Sequence, residues 1–184
     1  MSIDEAMGHA LALAADAAAE GEVPVGAVVL DAAGEVIGEG RNARGEMRSR
    51  RDDDAIEEER VSRVNGQDHD ADDAADAVHA ADPLAHAEVL AMRAAAARLG
   101  SWNLADCTLV VTLEPCPMCA GACVQTHIGR IVFGAWDAKL GACGSIWDIP
   151  RDPHIGHTPE VIGGVRESDC ACILTDFFTA RRAR

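Results

Sequence analysis

The chain has 184 residues, enough for one domain with a substantial core and too few for two of ordinary size. Its hydrophobic share of 48% is that of a globular protein, although it rests heavily on alanine, and no apolar run approaches the ~20 residues that span a bilayer. A formal net charge of −15 argues, on charge alone, against a nucleic-acid binder, whose phosphate contacts call for a basic footprint.

The N-terminus, MSIDEAMGHALALAADAAAEGE, is acidic where a signal peptide is basic, so the expectation is no export signal and a cytoplasmic location. In that reducing compartment seven cysteines, an odd number, predict metal ligands or free thiols over a disulfide framework. Residues 2–20 read as a helix, with Ser2 as its cap, Asp4 and Glu5 in the first turn and Gly21 as its stop. VPVGAVVL (23–30) and EVIGEG (35–40) are strand-like, and the DAAG between them predicts a hairpin.

Residues 45–82 hold 13 acidic and 5 basic side chains, a net of −8 against −7 for the rest of the chain. With hydrophobic residues scarce as well, that stretch reads as a solvated insertion, disordered or loosely helical. Asp82-Pro83 then predicts a helix start, the helix running through PLAHAEVLAMRAAAARLG to Gly100. CTLVVTL (107–113) reads as a buried strand, 116–127 as a helix, RIVFGA (130–135) as a strand and 136–159 as loop-rich. The tail closes with a helix over 168–182 whose Ile173, Leu174, Phe177 and Phe178 share one face. Strands alternating with helices predict an α/β fold whose sheet is covered on both faces.

Chemistry concentrates at two helix starts. His86-Ala87-Glu88 lies in the first helix after the insertion, and Pro115-Cys116-Pro117-Met118-Cys119 opens the next. One imidazole and two thiolates are ligand types that zinc prefers, and a fourth position left to water distinguishes catalytic zinc sites from closed structural ones. Cysteines three apart share a helix face, and in a first turn the free N–H groups and the helix dipole favour thiolate. His86 and Glu88 would point nearly opposite ways in mid-helix; their spacing serves only near an open helix end. There one side chain binds metal while the other takes a proton from water and hands it to a substrate nitrogen. A lone CxxC also fits a redox pair, but that reading explains neither His86 nor Glu88. A purely structural zinc would need a fourth protein ligand, Cys143 or His127, and would leave Glu88 without purpose. The other cysteines, Cys107, Cys123, Cys143, Cys170 and Cys172, are expected to be small buried hydrophobes.

HxE at a helix start followed by PCxxC at the start of the next resembles the zinc nucleobase deaminases. The further segments EVPVGAVV (22–29), VIGEGRN (36–42), DPLAHAEVLAMR (82–93), TLVVTLEPCPMCAGA (108–122), IGRIVFGAWDAKLGACGS (128–145) and DFF (176–178) resemble the bacterial tRNA-specific adenosine deaminases, over nearly the whole chain outside 45–82. The resemblance implies a single deaminase domain over 1–184, a three-layer α/β/α sandwich with a five-stranded mixed sheet, cytidine deaminase-like. It implies His86, Cys116 and Cys119 as ligands of one Zn2+ per subunit and Glu88 as the catalytic proton shuttle. It implies that Asn42 and the backbone at Ala87 contact the target nucleoside, and that Asp137 lies beside its neighbours. The partners implied are the tRNA anticodon stem-loop and a second copy in a homodimer, with no membrane. The reaction implied is hydrolytic deamination of adenosine to inosine at the wobble position. The alternative is deamination of a free base or nucleotide, guanine or cytosine, with the same zinc site.

Two features depart from that pattern. His86 follows Asn42 by 44 positions, far more than the family spacing, so 45–82 is an insertion beside the expected entrance, read either as a solvated loop or as an acidic competitor for RNA phosphates. The global acidity also sits badly with RNA, unless Lys139 supplies a local basic patch together with Arg44, Arg130, Arg181, Arg182 and Arg184.

Overall fold

The computed structural model describes residues 1–45 and 81–182, so the expected insertion lies almost wholly outside the described residues. Helix α1, Ile3–Ala19, starts as the sequence predicts. The Ser2 hydroxyl accepts from the Glu5 N–H at 3.2 Å, while the Glu5 carboxylate accepts from the Ser2 N–H at 2.8 Å, a reciprocal capping box. Strands β1, Gly26–Leu30, and β2, Val36–Arg41, form the expected antiparallel hairpin. Asp31 Oδ1 fixes its turn by accepting from the Ala33 and Glu35 N–H groups, each at 2.9 Å.

Helix α2, Ala87–Leu99, is followed by β3, Thr108–Leu113, helix α3, Pro117–Gln125, and β4, Arg130–Ala135. A three-residue strand β5, Glu160–Ile162, and helix α4, Glu167–Arg182, complete the order. The sheet runs β2-β1-β3-β4-β5, with β1 antiparallel to both neighbours and β3, β4 and β5 parallel. Alternation along the strands sorts the core into two layers. Ala27, Val29, Leu109, Val111, Ile131 and Phe133 pack under α2 and α3, while Val28, Val110 and Val132 pack under α1 and α4. This is the three-layer α/β/α sandwich with five mixed strands that the resemblance implies.

Three local expectations change. Asp82-Pro83 opens a turn and not a helix: Asp82 Oδ1 accepts from the Leu84 N–H at 2.9 Å and its carbonyl from the Ala85 N–H at 3.1 Å. That local bonding holds residues 83–85 out of the helix, which begins after His86. β5, a strand the sequence did not predict, lies just past the stretch expected to be loop-rich; Glu160 and Ile162 are exposed, so it has no apolar run to read. In α4 only Cys170 is buried, and Phe178 remains 43% exposed, so the apolar face expected of the tail is half covered. Cys172 is also exposed, its thiol donating to Asp176, whereas Cys107, Cys123, Cys143 and Cys170 are buried as expected.

Because β3 and β4 are parallel and β1 is antiparallel to β3, the ends of β2, β3 and β4 meet the start of α2 at one edge of the sheet. Asn42, His86, Cys116 and Asp137 each sit within two residues of an element terminus on that edge. In open α/β sheets the edge beyond the strands' carboxyl ends is where ligands bind.

Candidate active site

Main-chain bonds stitch this edge together. The Asn42 N–H donates to the Val25 carbonyl at 3.0 Å, and the Ala43 N–H donates to the Ala85 carbonyl at 3.1 Å. The Ala87 N–H, at the first position of α2, donates to Asn42 Oδ1 at 3.1 Å. The two residues expected to contact a nucleoside therefore contact each other, and Asn42, only 6% exposed, caps α2 in place of a local side chain. That bond engages one lone pair of its oxygen, and the amide NH2 is the donor the side chain carries.

His86 is the N-cap of α2, with extended backbone, and Glu88 lies in the first turn. A helix boundary thus separates the two, and both reach the same site. Cys116 is the N-cap of α3, Pro117 takes the first turn, where a missing N–H costs nothing, and Cys119 follows at the third helical position. His86 Nδ1 lies 3.7 Å from Cys116 Sγ and 3.5 Å from Cys119 Sγ. All three donor atoms fall within 4.8 Å of one another.

The protons are unevenly shared. A hydrogen bond from the Cys119 thiol holds the Cys116 thiol at about 4, against the cost of burial and with His86 assisting. Cys119 is driven up by that same bond and by burial, and the bond to Cys116 raises His86. A divalent cation would displace the proton between the sulfurs and take both as thiolates. One imidazole and two sulfurs in a compact cluster fit zinc with a coordination position to spare. Among the described residues no fourth side chain joins the cluster. His127 is engaged elsewhere, stacked on His157 at 4.8 Å and edge-on to Trp102 at 5.1 Å. Glu88 is 4% exposed; burial pushes its carboxyl up to about 7, and the Cys116 charge adds to the rise.

Asp137 and Lys139 lie on the loop after β4. Asp137 Oδ1 accepts from the Lys139 and Leu140 N–H groups at 2.9 and 3.2 Å, so this carboxylate shapes the turn that presents the exposed Lys139. Arg44 is close enough to oppose protonation of His86, which keeps it in the basic patch. Arg130 leaves it: at the opposite end of β4, its guanidinium pairs with Glu160 at 2.5 Å. Arg181 stands over the Phe177 ring at 5.0 Å, and Arg184 lies outside the described residues. Glu114 was not singled out from the sequence. It is 1% exposed, and the signal available was an acidic residue directly ending an apolar strand ahead of PC.

Comparison with known proteins agrees with this geometry. The profile of the cytidine and deoxycytidylate deaminase zinc-binding region matches residues 1–135, which include all three donors. The tRNA-specific adenosine deaminase of Haemophilus influenzae is 38% identical over 179 residues, covering 97% of this chain and 84% of that protein. A tRNA(Ile)-lysidine synthase of Deinococcus deserti is 44% identical over 182 residues, covering 99% of this chain but 28% of its own length. The chain thus spans only about a quarter of that longer relative. A solved structure from work on A-to-I editing by tRNA:A34 deaminases superposes with a TM-score of 0.69 at 34% identity, covering 92% of this chain and 99% of that one. No helix among the described residues is long and apolar enough to cross a membrane. The chain belongs to the cytidine and deoxycytidylate deaminase family, in its tRNA-specific adenosine deaminase branch.

Proposed function

We propose that this protein hydrolyses adenosine to inosine at the wobble position of a tRNA anticodon, using one zinc ion per subunit. The observation that carries the reading is the junction of two helix N-termini, where His86, Cys116 and Cys119 converge beside a buried carboxylate, Glu88. The wobble substrate rests on the relatives, whose names and subject are tRNA and A34.

His86, Cys116 and Cys119 would hold the metal. Zinc there supplies Lewis acidity that makes water nucleophilic near neutral pH. Glu88 does the proton work. Its carboxylate takes a proton released from water and delivers it to adenine N1 as oxygen adds to C6. It then helps protonate the exocyclic amine, so that the C6–N bond breaks and ammonia leaves. One water is consumed and no net proton is exchanged. A carboxyl whose affinity for protons has been raised toward neutrality is suited to both halves of that transfer. The Asn42 amide NH2 donates to the nucleoside, and its oxygen keeps α2, and with it His86 and Glu88, in place. The target base must leave its stack to reach this edge, which costs less in an anticodon loop than in a duplex.

The same reading includes a homodimer and a cytoplasmic location. A half-open apolar groove of about 240 Å3 between α2 and α3, lined by Val89, Met92, Ala96, Trp102 and Ala122, supports the dimer. Light scattering should return twice the chain mass of 19.3 kDa. The test of function offers the purified protein an arginine tRNA bearing adenosine at the wobble position and, in parallel, free adenosine, guanine and cytosine. Inosine from the tRNA alone is expected. Turnover of a free base with an inert tRNA would replace this reading by the salvage alternative.

A further inference from the structure

We propose that Glu114 is a positioning residue, whose buried carboxylate holds the loop bearing Asp137 and Lys139 in register with the zinc-ligand turn at Cys116. The proposal rests on the tRNA deaminase reading, because it assigns that loop to substrate. A carboxylate taken out of water is costly unless its lone pairs are met by donors. Here one loop supplies four. The Asp137 N–H donates to Glu114 Oε2 at 3.0 Å, and the Cys143 and Ser145 N–H groups donate to Oε1, each at 3.0 Å. The Ser145 hydroxyl donates to Oε2 as well. Such a carboxylate specifies its surroundings in a way that a leucine could not, since any loop shape that withdrew a donor would strand the charge.

The surrounding chain is built for this arrangement. A Cβ on Gly141 would lie 2.2 Å from Glu114 Oε2, so the carboxylate occupies the space of a side chain at that position. The next residue of the strand exit, Pro115, accepts at its carbonyl from the Ala142 N–H at 2.9 Å. Two consecutive residues directly before Cys116 therefore grip the loop. The first donor in the set is the N–H of Asp137, whose own carboxylate shapes the turn presenting Lys139. Zinc-ligand turn, Glu114, Asp137 and Lys139 form one continuous hydrogen-bonded sequence.

Glu114→Gln and Ser145→Ala test the role. Glutamine keeps the shape but opposes the Asp137 N–H with a donor; alanine at the exposed Ser145 removes one donor without threatening the core. Zinc content, kcat and KM are measured on the wobble-adenosine tRNA. The expected result is normal zinc and kcat within about threefold, with KM raised at least tenfold in Glu114→Gln and a few-fold in Ser145→Ala. A purely structural role would lower the melting temperature and leave KM alone; in an active wild type that result overturns the proposal. A zinc-loaded wild type that is inert on tRNA is a different result, overturning the tRNA reading and this role together.

Discussion

The Asn42 oxygen caps α2 through the Ala87 N–H, and the proposed function gives its NH2 to the nucleoside. The two jobs can be separated. Asn42→Asp keeps the acceptor and places a negative charge at a helix N-terminus, which is favourable there. Its melting temperature should stay within a few degrees of wild type, while kcat/KM on tRNA falls at least tenfold for want of the donor. Asn42→Ala should lose both activity and about 1 kcal/mol of stability. An Asn42→Asp enzyme of full activity would remove this residue from substrate binding. The grouping of His86, Cys116 and Cys119 was legible in the sequence through the conjunction of HxE at one helix start with PCxxC at the next, although either motif alone has other uses. Glu114 was not singled out, since its one local signal, an acidic residue ending an apolar strand ahead of PC, does not show which distant loop it organises. The Asn42–Ala87 bond spans 45 positions and is invisible to any local pattern.

Elements matter here mainly through their ends. The sequence pointed to an open helix end near His86 but placed the start at Asp82-Pro83, one turn early, because an aspartate that caps a turn and one that caps a helix read alike. The true boundary, with His86 outside the helix and Glu88 inside, is what lets residues two apart serve one site. α2 is pressed onto β2 at two glycines. A Cβ on Gly40 would lie 2.2 Å from the Ala87 carbonyl oxygen and 2.7 Å from the Ala91 nitrogen, both backbone atoms. Gly40→Ala should therefore push the helix start outward, costing about 1–3 kcal/mol by overpacking and lowering zinc occupancy well below one. Gly121→Ala, where nothing lies within 4 Å of the added carbon, is the control and should keep its zinc. Full zinc in Gly40→Ala would show that the helix start does not set the metal site. The core strands were legible from their apolar runs, whereas β5, with one inward residue of three, offered none.

For the molecule as a whole, the tension is between a net charge of −15 and the phosphate backbone of the proposed tRNA substrate. Of the basic residues considered for a phosphate path, Arg44 lies near His86 and Lys139 is on the loop after β4, while Arg130 is committed to Glu160. Lys139→Glu should weaken tRNA binding, reduce the dependence of log K on log salt by about one unit, and leave zinc content unchanged. Unaltered binding would place the phosphate path elsewhere. The layer architecture was foreseeable from alternating strands and helices and the strand count came from the resemblance, but the strand order came only from the structure, since register between distant strands is a tertiary property. The proposed joint work of the metal cluster and Glu88 is tested most directly by nucleoside analysis of wobble-adenosine tRNA after incubation with zinc-loaded wild type and Glu88→Ala. Nearly one inosine per tRNA is expected with wild type, and a rate lower by ~100-fold or more with Glu88→Ala at equal zinc content. Equal inosine from both proteins, or none from either, would contradict that joint work.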